Sequence, residues 1–417
     1  MDESERASAV ARHAPIWRVE VDEQERAARW CIWSGQGIGA QGMQAVLARC
    51  GGELAGLWKS GARAATRDLR ASGVNKRLVT RLEEVLAICP MRAWEDEQAR
   101  LPAGASIVHL CDKDYPPSFW ELTSPPVFLY VWGQLEVLSS QRRVAIVGSR
   151  VADQLRRELA ESMAARLSQS AILVISGGAL GIDACAHEGS LLDGGQTVAF
   201  LPGGLGCLTP PRHRELFERI ATQGAVVSEY PLGVGARPYH FARRNQLIAA
   251  LSEAVVVVCA AIGSGTMITA EAGAKLGRLL CVVPAAIDDA LAQGSLELLV
   301  AGALAVRDGD DVWRHVYEQE DDRPAPLLRA RRAPAAPAGP TGDRPVDVSG
   351  LALDKQQVLL ALDALARATG ERDVHVDELA RHLGWAVMQV STALVELEIN
   401  QRVQKMAGTN AYRLLGG

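Results

Sequence analysis

Ile172-Leu-Val-Ile-Ser-Gly-Gly-Ala-Leu-Gly-Ile-Asp183 is the stretch whose reading decides the fold. An apolar, β-branched run without alternation stops at Ser-Gly-Gly, and a helical pattern follows. Such a run reads as a strand covered on both faces, as in a parallel sheet. The same grammar stands before it in Val144-Ala-Ile-Val-Gly-Ser-Arg150. It returns after it in Val255-Val-Val-Val-Cys-Ala-Ala-Ile-Gly-Ser-Gly-Thr-Met-Ile-Thr-Ala-Glu271. A strand–turn–helix unit aims backbone N–H groups and the positive end of a helix at one spot, which attracts phosphate. Three units in one sheet align their turns along the edge formed by the strands' C-terminal ends. The expected phosphate ligands are Gly148, Ser149 and Arg150 from the first turn, Ser176, Gly177 and Gly178 from the second, and Ser264, Gly265 and Thr266 from the third.

Outward from these turns, strands are expected at 107–110, 127–132, 144–147, 172–175, 198–201, 225–227, 255–258 and 279–283. Helical patterns lie between the later ones at 154–167, 184–192, 212–220, 244–251 and 268–276. Alternating buried strands and helices mean an α/β doubly wound, mostly parallel, Rossmann-like sheet. Phe241-Ala-Arg-Arg-Asn-Gln246 is read as a helix start beside the same edge. It adds Arg243, Arg244 and Asn245 as phosphate ligands. Neighbouring residues point about 100° apart on a helix, so only one of the two arginines faces the cleft. Asp183 reads as a helix cap and His187 as a packed surface histidine, not a base.

The flanks differ. Residues 1–25 read as a flexible tail, and 26–98 as a small helical domain of the SAM or helix-hairpin-helix kind. Its Ser34-Gly-Gln-Gly-Ile-Gly-Ala40 is either a phosphate-binding turn or an ordinary helix–helix loop. Residues 104–317 form the expected Rossmann-like domain, and 318–350 a Pro-, Ala- and Arg-rich linker unable to bury a core. Residues 351–417 pattern as helix, helix, helix and hairpin, the profile of a winged helix. Its third helix, expected over 387–398, carries Glu396 and Glu398 and no Lys or Arg. DNA-reading helices are usually basic or amide-rich, so Arg402, Lys405 and Arg413 in the hairpin serve either phosphate or protein contacts.

The net charge of −5 gives no global drive toward nucleic acid, so any such surface must be local. Eight scattered cysteines with no Cys-x-x-Cys pair read as reduced thiols of a cytoplasmic protein. The N-terminus shows no apolar signal-peptide core, and no apolar run reaches the length of a membrane span. No Walker loop, dinucleotide-binding Gly-x-Gly-x-x-Gly, nucleophile elbow, metal-ligand cluster or carboxylate pair is present. Phosphate turns without catalytic groups point to binding, with no cofactor and no metal expected.

With these motifs in order, the chain resembles the DNA-processing protein A (DprA/Smf) family. The resemblance runs through Asp114-Tyr-Pro-Pro117, Pro125–Tyr130, Val144–Arg150, Ser176-Gly177, Gly181–Ala184, His187, Ser228–Pro231, Phe241, Arg244-Asn245, Ser264-Gly265, Ile268–Ala270, Gly277-Arg278 and Gly302-Ala303. It implies a non-catalytic protein that binds and protects single-stranded DNA and helps load RecA recombinase during natural transformation. It also implies a homodimer formed through the Rossmann-like domain. This chain departs from the family pattern at Leu180 and Gln246, each where an arginine is usual, and at Ala242, Cys259-Ala260, Ala285 and Leu296. Fewer arginines imply weaker or relocated phosphate contacts. Two other readings compete. Pro202-Gly-Gly-Leu-Gly206 mimics the start of the Pro-Gly-Gly-x-Gly-Thr-x-x-Glu motif of LOG-like nucleotide phosphoribohydrolases, although Cys207 and Pro210 replace its Thr and Glu. A nucleotide-sensing Rossmann relative is the third.

Overall fold

The structure is a computed structural model. It describes residues 21–35, 38–71, 75–318, 353–369, 373–383, 390, 393–394, 397–398, 403–406 and 411–414. The chain divides into two compact units, Met1–Arg332 and Ala333–Gly417.

Among the described residues, six helices come first in this unit: α1 Glu23–Ser34, α2 Gly39–Arg49, α3 Gly56–Lys59, α4 Ala62–Ala71, α5 Lys76–Leu86 and α6 Pro90–Ala99. Helix α1 begins inside the segment read as tail, because Asp22 caps it by accepting the Glu25 N–H at 2.8 Å. The remainder runs β1 Ala105–His109, β2 Phe128–Gly133, β3 Arg143–Val147, α7 Gln154–Gln169, β4 Leu173–Ser176, α8 Ile182–Ser190, β5 Thr197–Phe200, α9 Arg214–Gln223 and β6 Ala225–Ser228. It continues with α10 Pro238–Leu251, β7 Ala254–Val257, α11 Gly265–Lys275, β8 Leu279–Val282, α12 Gln293–Val300, β9 Leu304–Ala305 and α13 Gly309–Trp313.

The nine strands form one sheet in the order β1-β2-β6-β5-β4-β3-β7-β8-β9. Strand β2 is antiparallel to both β1 and β6, and all other neighbours are parallel. Side chains alternate between two covered faces. Ala145 and Val147 pack on the side of Leu247, Ile248 and Leu251 of α10. Val144 and Ile146 pack on the side of Met163 and Leu167 of α7. The chain leaves β3 toward β4 on one side and returns to β7 on the other, so the sheet's crevice lies between β3 and β7.

The sheet strands expected from the sequence all appear within two residues of their expected ends. The two-residue β9 and helix α12 are additions that the sequence pattern does not announce. Helix α10 starts six residues before the expected position, with Pro238 in its first turn, a site that needs no N–H donor. Arg243, Arg244 and Asn245 therefore sit in the middle of this helix, not at its start.

The helical segment packs on the sheet rather than standing apart. Trp30 donates Nε1–H to the Tyr130 hydroxyl at 2.6 Å, and that hydroxyl donates to Glu97 at 3.0 Å. The same Glu97 oxygen accepts the Leu232 N–H at 2.8 Å. Arg26 grips Asp112 with two bonds of 2.8 and 2.6 Å. The fully buried Arg29 is satisfied by Glu25 and by the Gly52 carbonyl.

The second unit holds α14 Leu353–Thr369, β10 Val374–His375, α15 Val376–Leu383, β11 Val403–Lys405 and β12 Ala411–Leu414, with sheet order β10-β12-β11. Val390, Ala393, Leu394 and Leu397 are buried in its core with Leu362, Leu379 and Tyr412. Most of the expected third helix, and Arg402, lie outside the described residues. Arg413 is held by Asp373 through bonds of 2.6 and 3.0 Å, so it is paired within its own unit. Among the described residues, no helix is long and apolar enough to cross a membrane.

Candidate functional site

A cleft of about 450 Å³ opens between β3 and β7, at the C-terminal ends of the strands. Its walls are the turn after β3, the middle of α10 and the start of α11. Eight of the twelve expected ligands line it: Gly148, Ser149, Arg150, Arg244, Asn245, Ser264, Gly265 and Thr266.

Arg244 is the centre of the site. Its guanidinium is buried, 5 % exposed, and its Nη1 stands 3.6 Å from Asp183 Oδ2. That spacing is an ion pair but not a hydrogen bond. Among the described residues, Nε and Nη1 have no hydrogen-bond partner. Burial lowers the Arg244 pKa, with Asp183 opposing, and burial raises the Asp183 carboxyl against the pull of Arg244 and the Ala179 and Gly177 N–H groups. A cation so short of acceptors is stabilised by an anion reaching it from the cleft.

The opposite wall supplies further donors. Ser264 stands at the N-cap of α11 in extended conformation but makes no capping bond, and its buried Oγ has no partner. The N–H groups of Gly265 and Thr266 belong to a helical first turn and lack intrahelical acceptors. Asn245 holds this wall against α10 by donating Nδ2–H to the Gly265 carbonyl at 2.8 Å. At the mouth, the exposed Arg150 guanidinium lies 5.1 Å from the centre of the Phe241 ring. Arg150 thus keeps a cation at the entrance, without an acidic partner among the described residues.

Of the second turn, Ser176, Gly177 and Gly178 do not line the cleft, although Ala179 does. Ser176 Oγ donates to the Ile146 carbonyl at 2.6 Å, which ties β4 to β3. Gly178 N–H is taken by His187 Nε2 at 3.2 Å, and Ala179 N–H points at Asp183 at 3.4 Å. Gly177 lies directly under Arg244: a Cβ there would fall 1.1 Å from Nη1. These residues form the floor that positions Arg244. His187 is fully buried, not a surface residue. Its Nδ1 meets Thr197 Oγ1 at 2.8 Å, and that hydroxyl donates to the Val174 carbonyl at 2.7 Å.

Arg243 faces away from the cleft. Its Nε bonds both Glu229 oxygens at 2.8 and 3.0 Å, and Nη2 donates to the Ser124 carbonyl at 2.7 Å. It braces α10 against the end of β6. Gln246 is exposed beside it and accepts from Arg243 at 3.4 Å.

The Pro202–Gly206 loop also lies outside the cleft. Gly204 N–H bonds the Val234 carbonyl at 2.8 Å and Gly206 N–H bonds the Leu232 carbonyl at 3.1 Å. Two of its N–H donors are spent on a neighbouring loop, and none of its residues lines the cleft.

Asp183 is the cleft residue to which sequence reasoning assigns only a capping role. It lines the cleft beside Arg244 and does not cap α8 with its side chain. Its place after Gly181-Ile182, at the end of a Gly-rich turn, is the signal that marks it.

Residues 106–317 match the family model described as DNA recombination-mediator protein A, and residues 333–409 match the DprA winged helix domain. The chain belongs to the DprA/Smf family. It is 31 % identical to the Smf protein of Synechocystis over 78 % of its own length and 83 % of that protein. It is 32 % identical to the Smf protein of Escherichia coli, over 70 % and 74 % of the two chains. The crystal structure of DNA processing protein A from Streptococcus pneumoniae superimposes with a TM-score of 0.60 at 28 % identity, covering 70 % of this chain and 97 % of that one. For this DprA/Smf protein the mostly parallel α/β core and the C-terminal winged helix are thereby set.

Proposed function

We propose that the chain binds single-stranded DNA through its phosphate backbone in the β3–β7 cleft, without catalysing a reaction on it. The buried Arg244 guanidinium, with two donor atoms unpartnered and facing an uncapped helix start, carries this reading. The donors belong to main chain, hydroxyls and arginine, which grip phosphate without reading base edges. Asp183 is held against Arg244 and two backbone N–H groups, an arrangement that orients the cation. The walls are shared by two sides of the sheet crevice, so a strand threads between them. As a member of a DNA-processing family, the protein would protect the strand and pass it to RecA recombinase in the cytoplasm, acting as a homodimer formed through the sheet domain.

The test is titration of a fluorescent single strand at several salt concentrations. Arg244→Lys keeps the charge but removes the fork, and should weaken binding about tenfold or more. Arg150→Ala should lower the salt slope by about 0.7, the value for one single-strand phosphate. No binding by the wild type at low salt overturns the proposal. Competition by a mononucleotide as effective as that by the strand would favour a nucleotide sensor instead.

A further inference from the structure

Between Lys59 and Arg81 the sequence places seven cations, Lys59, Arg63, Arg67, Arg70, Lys76, Arg77 and Arg81, against one acid, Asp68. The chain as a whole is acidic, so this is a segregated positive island, not a sample of the average surface. All seven side chains are exposed. Arg63, Arg67 and Arg70 recur at i, i+4 and i+7, which places them on one face of α4 at rises of about 6 and about 4.5 Å. The other face of α4 buries Ala65, Thr66 and Leu69, and α5 buries Val79, Leu82, Val85 and Leu86. The core therefore sets the apolar face and leaves the charged one without a structural duty.

Three of the cations have acidic neighbours: Arg67 with Asp68 at 3.5 Å, Arg70 with Glu83 at 2.7 Å and Arg81 with Glu84 at 3.2 Å. These pairs are about half exposed or more and weakly held. Among the described residues, Lys59, Arg63, Lys76 and Arg77 join no ion pair. An island of like charge repels itself, and a flexible polyanion relieves it where single anions would not.

The island stands on the helical segment whose α6 carries Glu97. That carboxylate holds the loop after β6 through Leu232, at the same edge of the sheet as the cleft. From the docking strand β2 to the cleft strand β3 there are four strand spacings, about 19 Å. We infer that the exposed basic face of α4 and the start of α5 is a second contact for the DNA strand, taking up phosphates of the stretch that leaves the β3–β7 cleft. The occupant is a single-stranded polynucleotide held by charge and not by sequence. The inference rests on the reading of the cleft given above. It also supplies cations at a place other than Leu180 and Gln246.

The experiment compares single strands of about 6 and about 30 nucleotides on the full chain. Variants are Arg63→Glu with Arg67→Glu, and Lys76→Glu with Arg77→Glu. All four positions are exposed, and unchanged thermal melting verifies the fold. Wild type should bind the long strand with the larger salt slope. The reversals should leave the short strand's affinity within about twofold, and weaken the long strand about tenfold or more at low salt. The slope should fall by about 0.7 for each phosphate the variant no longer neutralises. Unchanged long-strand affinity overturns the inference and leaves the face for an acidic protein. Equal losses on short and long strands also overturn it, as a general field effect. Failure of the wild type to bind any strand defeats the cleft reading itself, and is distinguished by that.

Discussion

Gly177 shows how one missing carbon fixes a functional side chain. A Cβ at that position would overlap the Arg244 guanidinium, so Gly177→Ala must push the arginine out of its seat. The expected outcome is a loss of about 1–3 kcal/mol in stability from overpacking, together with strand affinity reduced as much as in Arg244→Lys. Chemical denaturation and strand titration of the variant measure both; intact affinity would show that Arg244 does not act from this seat. His187, behind the same floor, makes a prediction about pH. Burial, with Arg244 and His213 adding to it, pushes the imidazole down to about 3. In the unfolded chain it titrates near 6.5. The unfolded state therefore takes up a proton between these values that the folded state refuses. Stability is full above about pH 6.5 and falls by about 1.4 kcal/mol per unit as pH drops toward 3. His109 is depressed in the same direction by burial and by Arg29 and Arg26. His187→Gln should thus reduce the fall in urea midpoint between pH 7 and pH 5 without abolishing it. Equal falls in variant and wild type would refute the assignment.

Helix α11 trades stability for an open end. Its N-cap serine leaves its hydroxyl unused, and no acid stands in its first turn. Ser264→Asp should cap the helix and complement its dipole, adding about 0.5–1 kcal/mol in thermal or urea unfolding. The same carboxylate would face the strand's phosphates, so affinity should fall while stability rises. A variant that gains stability and binds unchanged would place the phosphates elsewhere. This helix also shows what is legible in sequence. Gly263-Ser-Gly-Thr266 after a buried strand is enough to foresee an open helix end, because local pattern determines a strand–turn–helix unit. The second turn has the stronger pattern, yet its donors are consumed by His187 and Asp183, partners brought in by packing. The adjacency of Arg243 and Arg244 does tell that a helix separates the two. Which one faces the cleft depends on Glu229 and Ser124, distant in sequence, and no local pattern encodes that. Helix α10 likewise begins earlier than its apolar spacing suggests, since Pro238, Tyr239 and Phe241 extend it with exposed and half-buried side chains.

At the scale of the molecule, one buried carboxylate is a polar tie at the junction of the helical segment and the sheet, beside the Arg26–Asp112 pair. Glu97 accepts from the Tyr130 hydroxyl and from Leu232 N–H, and also pairs with Arg100. Glu97→Ala would strand both donors in a dry interface, at an expected cost of about 2–5 kcal/mol. The variant's urea midpoint measures that cost, and limited proteolysis locates where the loosening begins, expected in the 90–104 segment. A wild-type midpoint would mean that the junction is held by its apolar contacts and the Arg26–Asp112 pair, without help from Glu97. The span of this junction also has a meaning in time. Leu232 lies 135 residues beyond Glu97, and a ribosome adding about 5–20 residues per second needs on the order of 10 s to reach it. Throughout that interval the emerging helices hold a carboxylate one of whose buried partners, Leu232, has not yet been made, and Trp30, Trp33 and Trp94 have no finished sheet to cover them. The newborn N-terminal part is therefore a client for whatever shields exposed aromatic surface on nascent chains, and chains arrested before β6 should bind such a factor where full-length chains do not.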